Sequence, residues 1–156
     1  MMWPYFEERI GKLIATAGQA GLAVGLHSGY RSFEDQDKLY ALGRSTPNPD
    51  GKTADCPMGR IVTKATGENS WHCWGTAADI VYKDVNGCWS WSEKHDWNKL
   101  GQMGLDMGLT WGGLWEKFQD RPHFQLTGGL HLKEAQAIKD RERVWQEIAK
   151  RIGLRA

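Results

Sequence analysis

Residues 70–82 read Ser-Trp-His-Cys-Trp-Gly-Thr-Ala-Ala-Asp-Ile-Val-Tyr. Ala78 to Tyr82 is a short apolar run ending in β-branched and aromatic residues, which predicts a strand, and Gly75 just before it offers a turn. A chain that turns at Gly75 and returns along a strand can place His72 and Asp79 on one ion. A second stretch, Asp120-Arg-Pro-His-Phe-Gln-Leu, carries another histidine. Pro122 denies His123 a helix interior, so a strand or strand entry presents it. A catalytic zinc takes three protein ligands from histidine and carboxylate and leaves a fourth position for water. His72, Asp79 and His123 supply that set, without the helical HExxH arrangement. Metal-assisted hydrolysis also needs a base for the attacking water. Asp120 is the nearest carboxylate in sequence to His123, with Glu116 in reserve. Spacing alone leaves other readings open: a packed histidine beside tryptophans, and an ordinary strand-end aspartate.

Outward from this centre, Phe6, Ile10, Leu13, Ile14 and Ala17 recur at helical spacing. Leu22, Val24 and Leu26 alternate as a strand ending at Ser28-Gly29. Ser32 with Asp35 resembles a capping box and opens a helix to about Gly43. The prolines and glycines of residues 44–70 predict a long loop, interrupted by a short Ile61–Ala65 strand, that is mobile and helps to cover the site. Trp97 to Met107 reads as a helix, and Leu109–Trp111 and Pro122–Leu126 as short strands. Leu132 to Ile152 reads as one charged amphipathic helix with Trp145, Ile148 and Ile152 on one face. Helices at both ends and short strands between them predict an α+β fold around a small sheet.

The chain has 156 residues, 40% of them hydrophobic and 25% charged, with a formal net charge of +1. These values predict one globular domain and exclude wholesale disorder. No apolar run approaches the roughly 20 residues of a membrane span. Paired acids at Glu7-Glu8 stand where a secretory signal would be basic and then apolar, so folding in the cytoplasm is expected. Near-zero charge argues against a polyanion-binding protein. Cys56, Cys73 and Cys88 cannot all pair and form no CxxC, so reduced thiols are expected.

Four motifs occur in order: Gly29-Tyr-Arg31-Ser32, SxHxxGxAxD at Ser70–Asp79, Trp111-Gly-Gly113, and DxPHF at Asp120–Phe124. Together they resemble the VanY-like zinc peptidases, the family of D-alanyl-D-alanine carboxypeptidases and L-alanyl-D-glutamate endopeptidases, with the phage endolysin branch nearest. The resemblance covers about residues 20 to 128. It implies a hedgehog/DD-peptidase-like single domain, a small antiparallel sheet flanked by helices, with residues 1–128 catalytic and 129–156 a helix packed on them. It also implies zinc held by His72, Asp79 and His123, with Asp120 as general base. Arg31 would sit over the site, polarising the scissile carbonyl or holding a substrate carboxylate, a task suited to an always-charged planar fork. Ser70 looks like the family's substrate-contacting serine, while Gln36 and Tyr40 read as structural. Leu114 departs from the pattern, since many relatives carry an aspartate there. Of the tryptophans, Trp71, Trp74, Trp111 and Trp115 border the motifs and could line a groove. Trp3, Trp89, Trp91, Trp97 and Trp145 are assigned to core and surface packing. His27, His95 and His131 read as non-ligands, and Cys73 as packing.

The function these features imply is a peptidoglycan endopeptidase cutting the L-alanyl-D-glutamate bond of the stem peptide. The alternatives are a D-alanyl-D-alanine carboxypeptidase and a non-catalytic wall-binding or virion module. As an endolysin it would wait in the host cytoplasm, gain access through a holin without direct contact, and act in the periplasm as a monomer. Residues 128–156 hold seven Lys/Arg against four Asp/Glu. That modest excess lacks a nucleic-acid motif and suggests at most weak contact with anionic membrane.

Overall fold

In the computed structural model, which describes residues 1–154, the chain runs α1 (Pro4–Gln19), β1 (Val24–Ser28), α2 (Phe33–Ala41) and β2 (Ala77–Lys83). It continues through β3 (Trp89–Ser90), α3 (Trp97–Asp106), β4 (Thr110–Trp111), β5 (His123–Gln125), α4 (Leu132–Ile138) and α5 (Arg141–Arg151). All five strands form one antiparallel sheet with β2 at its centre. β1 lies along one edge of β2, pairing Val24 with Tyr82. The other edge is shared end to end by β3, opposite Tyr82 and Lys83, and β5, opposite Ala77 to Asp79. β4 lies outside β5.

The alternation of side chains along these strands separates core from site. Ala78, Ile80 and Tyr82 of β2 and Phe124 of β5 enter the core. Asp79, His123 and Gln125 therefore occupy the opposite face. Helix α1 packs Phe6, Ile10, Leu13 and Ala17 into the same core, as their spacing predicts. Pro4 begins α1, where its missing N–H is harmless. α3 adds Trp97 and Leu100. Among the described residues no helix is long and apolar enough to cross a membrane.

Three expected elements differ. No strand forms at Ile61–Ala65. Side chains take up its backbone acceptors instead: Gln36 Nε2 donates to the Ala65 carbonyl at 2.8 Å and Arg44 to the Thr63 carbonyl at 2.9 Å. The surrounding loop is tied internally as well, with Asn48 N donating to the Met58 carbonyl and Arg60 paired to Asp50. The single C-terminal helix is in fact two. Lys139 adopts a left-handed conformation at φ 61°, and the Asp140 side chain accepts from Arg143 N to start α5. A capping aspartate competes with helix continuation, and here the cap wins. Finally, β3 forms where no strand was expected. Trp145, Val144 and Ile148 of α5 join the main core, and Trp145 Nε1 donates to the Trp74 carbonyl at 2.7 Å. Arg155 and Ala156, the end of the expected C-terminal segment, lie outside the described residues.

Candidate metal centre

The centre starts with a tight turn. Residues 71–75 fold back on themselves, with Gly75 N donating to the His72 carbonyl and Thr76 N to the Trp71 carbonyl. Gly75 has φ +76°, and a Cβ there would come within 2.7 Å of the Met1 carbonyl oxygen. Only glycine suits that position. The turn returns the chain into β2, as the spacing from His72 to Asp79 predicts. The β2–β5 register then sets Asp79 directly opposite His123.

Asp79 Oδ1 lies 3.4 Å from both His72 Nε2 and His123 Nδ1. One ligand atom from each residue falls within 4.8 Å of the others, and no other such cluster occurs among the described residues. Each imidazole is fixed from behind. His72 Nδ1 donates to the Gly29 carbonyl at 2.8 Å, and His123 Nε2 faces the Gln125 amide oxygen at 2.9 Å. Because both partners accept, each outer nitrogen carries a proton, and the inner nitrogens, His72 Nε2 and His123 Nδ1, both face Asp79 Oδ1. Burial alone would raise the Asp79 carboxyl, but hydrogen bonds from His123 and His72 hold it well below the ordinary range. Burial alone would lower His123, and its bond to Asp79 reverses that shift upward. Two imidazoles, whose inner nitrogens can give up a proton to a metal, and an ionised carboxylate suit a borderline cation such as zinc, with room for a fourth ligand.

A β-bulge at His27 in β1 puts Ser28 opposite Asp79 and brings Gly29 to His72. Asp120 is held beside His123: its N–H donates to the Gly112 carbonyl at 3.0 Å and its carbonyl accepts from His123 N. Asp120 is exposed at the surface. Partial burial of its carboxyl, and then the Asp79 charge, raise it above the ordinary range. Glu116, the reserve base, is exposed on the neighbouring loop.

Arg31 has no carboxylate partner among the described residues. Its backbone N–H donates to the His72 carbonyl at 3.2 Å. Its guanidinium donates to Gln36 Oε1 and, at 2.7 Å, to Ser28 Oγ. Gln36 is thus buried and links Arg31 to the 63–65 segment. Ser70 is buried with its hydroxyl against the Cys73 thiol. Burial pushes that thiol up to about 11, and Cys73 stands outside the ligand cluster. His27, His95 and His131 stand outside the cluster. Sequence reasoning assigned Gln125 no role, although strand alternation places it on the face of His123.

The tryptophans require a correction. Trp71, Trp74 and Trp111 are core residues, not groove lining. Trp115 packs on His123 with ring centres 5.1 Å apart. Trp89 and Trp91 are the surface members of the group assigned to core and surface packing.

Inward-facing imidazoles and a carboxylate on a small sheet, with a second carboxylate beside them, define a metal-dependent hydrolase site. The profile described as D-alanyl-D-alanine carboxypeptidase matches residues 63–126. The chain is 31% identical over 131 residues to the peptidoglycan L-alanyl-D-glutamate endopeptidase CwlK of Bacillus subtilis (strain 168), covering 79% of this chain and 72% of CwlK. It therefore belongs to the VanY-like zinc peptidase family, whose members act on peptidoglycan. Among solved structures, the LD-carboxypeptidase LdcB matches with TM-score 0.59 and 25% identity, over 88% of this chain and 69% of LdcB. The Serratia marcescens L-Ala D-Glu endopeptidase ChiX matches in fold with TM-score 0.53 and 20% identity, over 86% and 84%. A zinc-bound VanY D,D-pentapeptidase matches with TM-score 0.56 and 17% identity, over 92% and 83%.

Proposed function

We propose that this chain is a zinc-dependent endopeptidase that hydrolyses the L-alanyl-D-glutamate bond of the peptidoglycan stem peptide. One observation carries the reading: His72, Asp79 and His123 converge within 4.8 Å in a chain 31% identical to an endopeptidase of that bond. These three residues would hold zinc, which when bound supplies Lewis acidity to activate water and polarise the carbonyl. Asp120 takes the proton from the attacking water and later gives it to the leaving amine. A carboxyl raised above its ordinary value suits both halves of that transfer. Arg31, anchored through Ser28 and Gln36, keeps further N–H donors for the developing oxyanion or a substrate carboxylate. Ser70 contacts substrate at the start of the His72 turn. Residues 1–128 form the catalytic part, and the following helices brace it. Lysis of a phage-infected cell, with a holin giving access, is the setting suggested by the endolysin-like motif order alone.

Terminal trimming is the second reading, favoured by the profile's description and by the likeness to LdcB. Digestion of purified peptidoglycan separates the two. The endopeptidase exposes new N-terminal D-glutamate, whereas a carboxypeptidase releases a terminal amino acid and exposes no such amine. Asp120→Asn should keep its zinc and lose on the order of 10²–10⁴-fold in activity. An active Asp120→Asn beside a dead Glu116→Gln would move the base to Glu116.

A further inference from the structure

Among the described residues Tyr30, Phe33 and Phe118 are exposed aromatics, and two more, Trp89 and Trp91, gather around one histidine. The β1 bulge turns His27 outward, and β3 with the following loop brings Trp89 and Trp91 to either side of it. The His27 ring meets Trp89 edge-on at 5.3 Å and Trp91 edge-on at 5.1 Å. Trp91 is 53% exposed and Trp89 38%. Scattered apolar residues on a surface need no explanation, but a contiguous aromatic group does.

This group is held in place by the fold. The Trp89 ring lies over Gly25 of β1, where a Cβ would approach it within 3.1 Å. Lys83 Nζ sits 5.0 Å from the centre of the same ring. Past Trp91 the chain is fixed by Trp97 Nε1 donating to the Ser92 carbonyl and by Tyr82 OH donating to the Asp96 carbonyl. Trp91 is therefore a positioned side chain on a braced loop.

Trp91 also shares a cleft of about 340 Å³ with Asp120, with Glu93, Gln119 and Arg121 among its walls. The aromatic surface is continuous with the place where the proposed base works. Flat indole faces beside a few polar groups suit the C–H faces and hydroxyls of a pyranose ring. The chemistry of peptidoglycan places such a ring close by. The L-alanine on the acyl side of an L-alanyl-D-glutamate bond is joined through its nitrogen to the lactyl group of the glycan. One residue spans at most about 3.6 Å, so the sugar follows the scissile bond closely.

We propose that Trp91, with Trp89 and His27, forms a glycan-binding platform that receives the sugar strand carrying the peptide to be cut. The proposal rests on the endopeptidase reading above, because only cleavage near the glycan needs such a subsite.

The test compares the zinc-loaded wild type with Trp91→Ala and Trp91→Phe on two substrates. One is the stem peptide still attached to its disaccharide, and the other is the same peptide without sugar. The wild type should prefer the glycosylated substrate. Trp91→Ala should shrink that preference about tenfold, mainly through KM, and Trp91→Phe should restore part of it. Melting temperatures check that both variants fold. A preference unchanged by Trp91→Ala, or no preference in the wild type, overturns the proposal. A second arm titrates peptide-free glycan strands against all three proteins by intrinsic fluorescence. Binding lost in Trp91→Ala supports the platform even if the cleaved bond proves to be another one. Cleavage of L-alanyl-D-glutamate without glycan binding overturns the platform and leaves the endopeptidase reading intact. Anionic vesicles complete the set: Trp91-dependent vesicle binding without glycan binding would make this a membrane-contact surface and overturn the proposal.

Discussion

Replacing Gln125 by leucine removes the acceptor behind His123 while keeping a side chain of similar size. The Gln125 oxygen lies 2.9 Å from His123 Nε2, and His123 is almost wholly buried. No water can easily substitute at that nitrogen, so its N–H would lose a hydrogen bond and gain none. A buried donor left unsatisfied costs about 1–3 kcal/mol. The ring would then also be free to rotate, turning its inner nitrogen away from the metal position. Substitution of such outer partners typically weakens metal binding about 10–100-fold. Gln125→Leu should therefore bind zinc about 10–100-fold more weakly in competition with a chromophoric chelator. Gln125→Glu, which still accepts, should stay close to wild type. The backbone of β5 should be undisturbed, since Gln125 pairs with Ala77 and Thr110 through main-chain ladders. Equal zinc affinity for Gln125→Leu and wild type would refute the idea that this bond orients the ligand.

Further outcomes follow from other parts of the molecule. His72→Ala and His123→Ala should each purify without stoichiometric zinc, and full occupancy in both would dismiss them as ligands. Trp145→Ala removes a core ring and a donor to the His72 turn, a loss of about 3–5 kcal/mol, or roughly 6–20 °C in melting temperature at about 2–4 °C per kcal/mol. A shift under about 2 °C would show that α5 does not support the domain. Glu134 caps α4 by accepting from His131 N and pairs with Arg151 of α5, contacts that lower its carboxyl. Its contribution to stability should be complete above the ordinary glutamate range and disappear as pH falls through the lowered value. Glu134→Gln should accordingly lower the melting temperature near neutrality and have no effect in strong acid, and equal effects at both would contradict the pairing.

What was legible in the sequence was local. Phe6, Ile10, Leu13 and Ala17 reveal α1 through spacing alone, and Gly75 before an apolar run marks the turn into β2. Pro122 beside His123 predicts strand presentation for the same reason. The metal cluster was legible as a set of residue types, and the order of four short motifs linked it to a family. The pairing of Asp79 with His123 was not legible, because strand register depends on contacts far apart in the chain. Gln125 was overlooked although alternation placed it correctly, since an amide carries no chemical signature of its own. The tryptophans show the limit most directly. Trp74 and Trp91 are the same residue type, and one is buried while the other is exposed because of the neighbours that folding brings to each. Lys139 failed to signal a break because lysine itself favours helices, and it was Asp140 behind it that redirected the chain.

The ladder that sets Asp79 against His123 also divides the chain into parts that tolerate changes of length and parts that do not. One residue inserted between Thr76 and Asp79 would turn the carboxylate from the metal face to the core face, where it would be buried without a partner. The loop at residues 44–66 and the turn at residues 84–88 are under no such restriction, because they join elements without counting residues within the sheet. Doubling a flexible loop costs only about 0.6 kcal/mol in closure entropy. Insertions and deletions should therefore accumulate in these two regions, which lie on either side of the His72–Asp79 stretch in the chain. A lineage could exchange one wall architecture for another by lengthening or trimming them while the centre keeps the same residue-by-residue register.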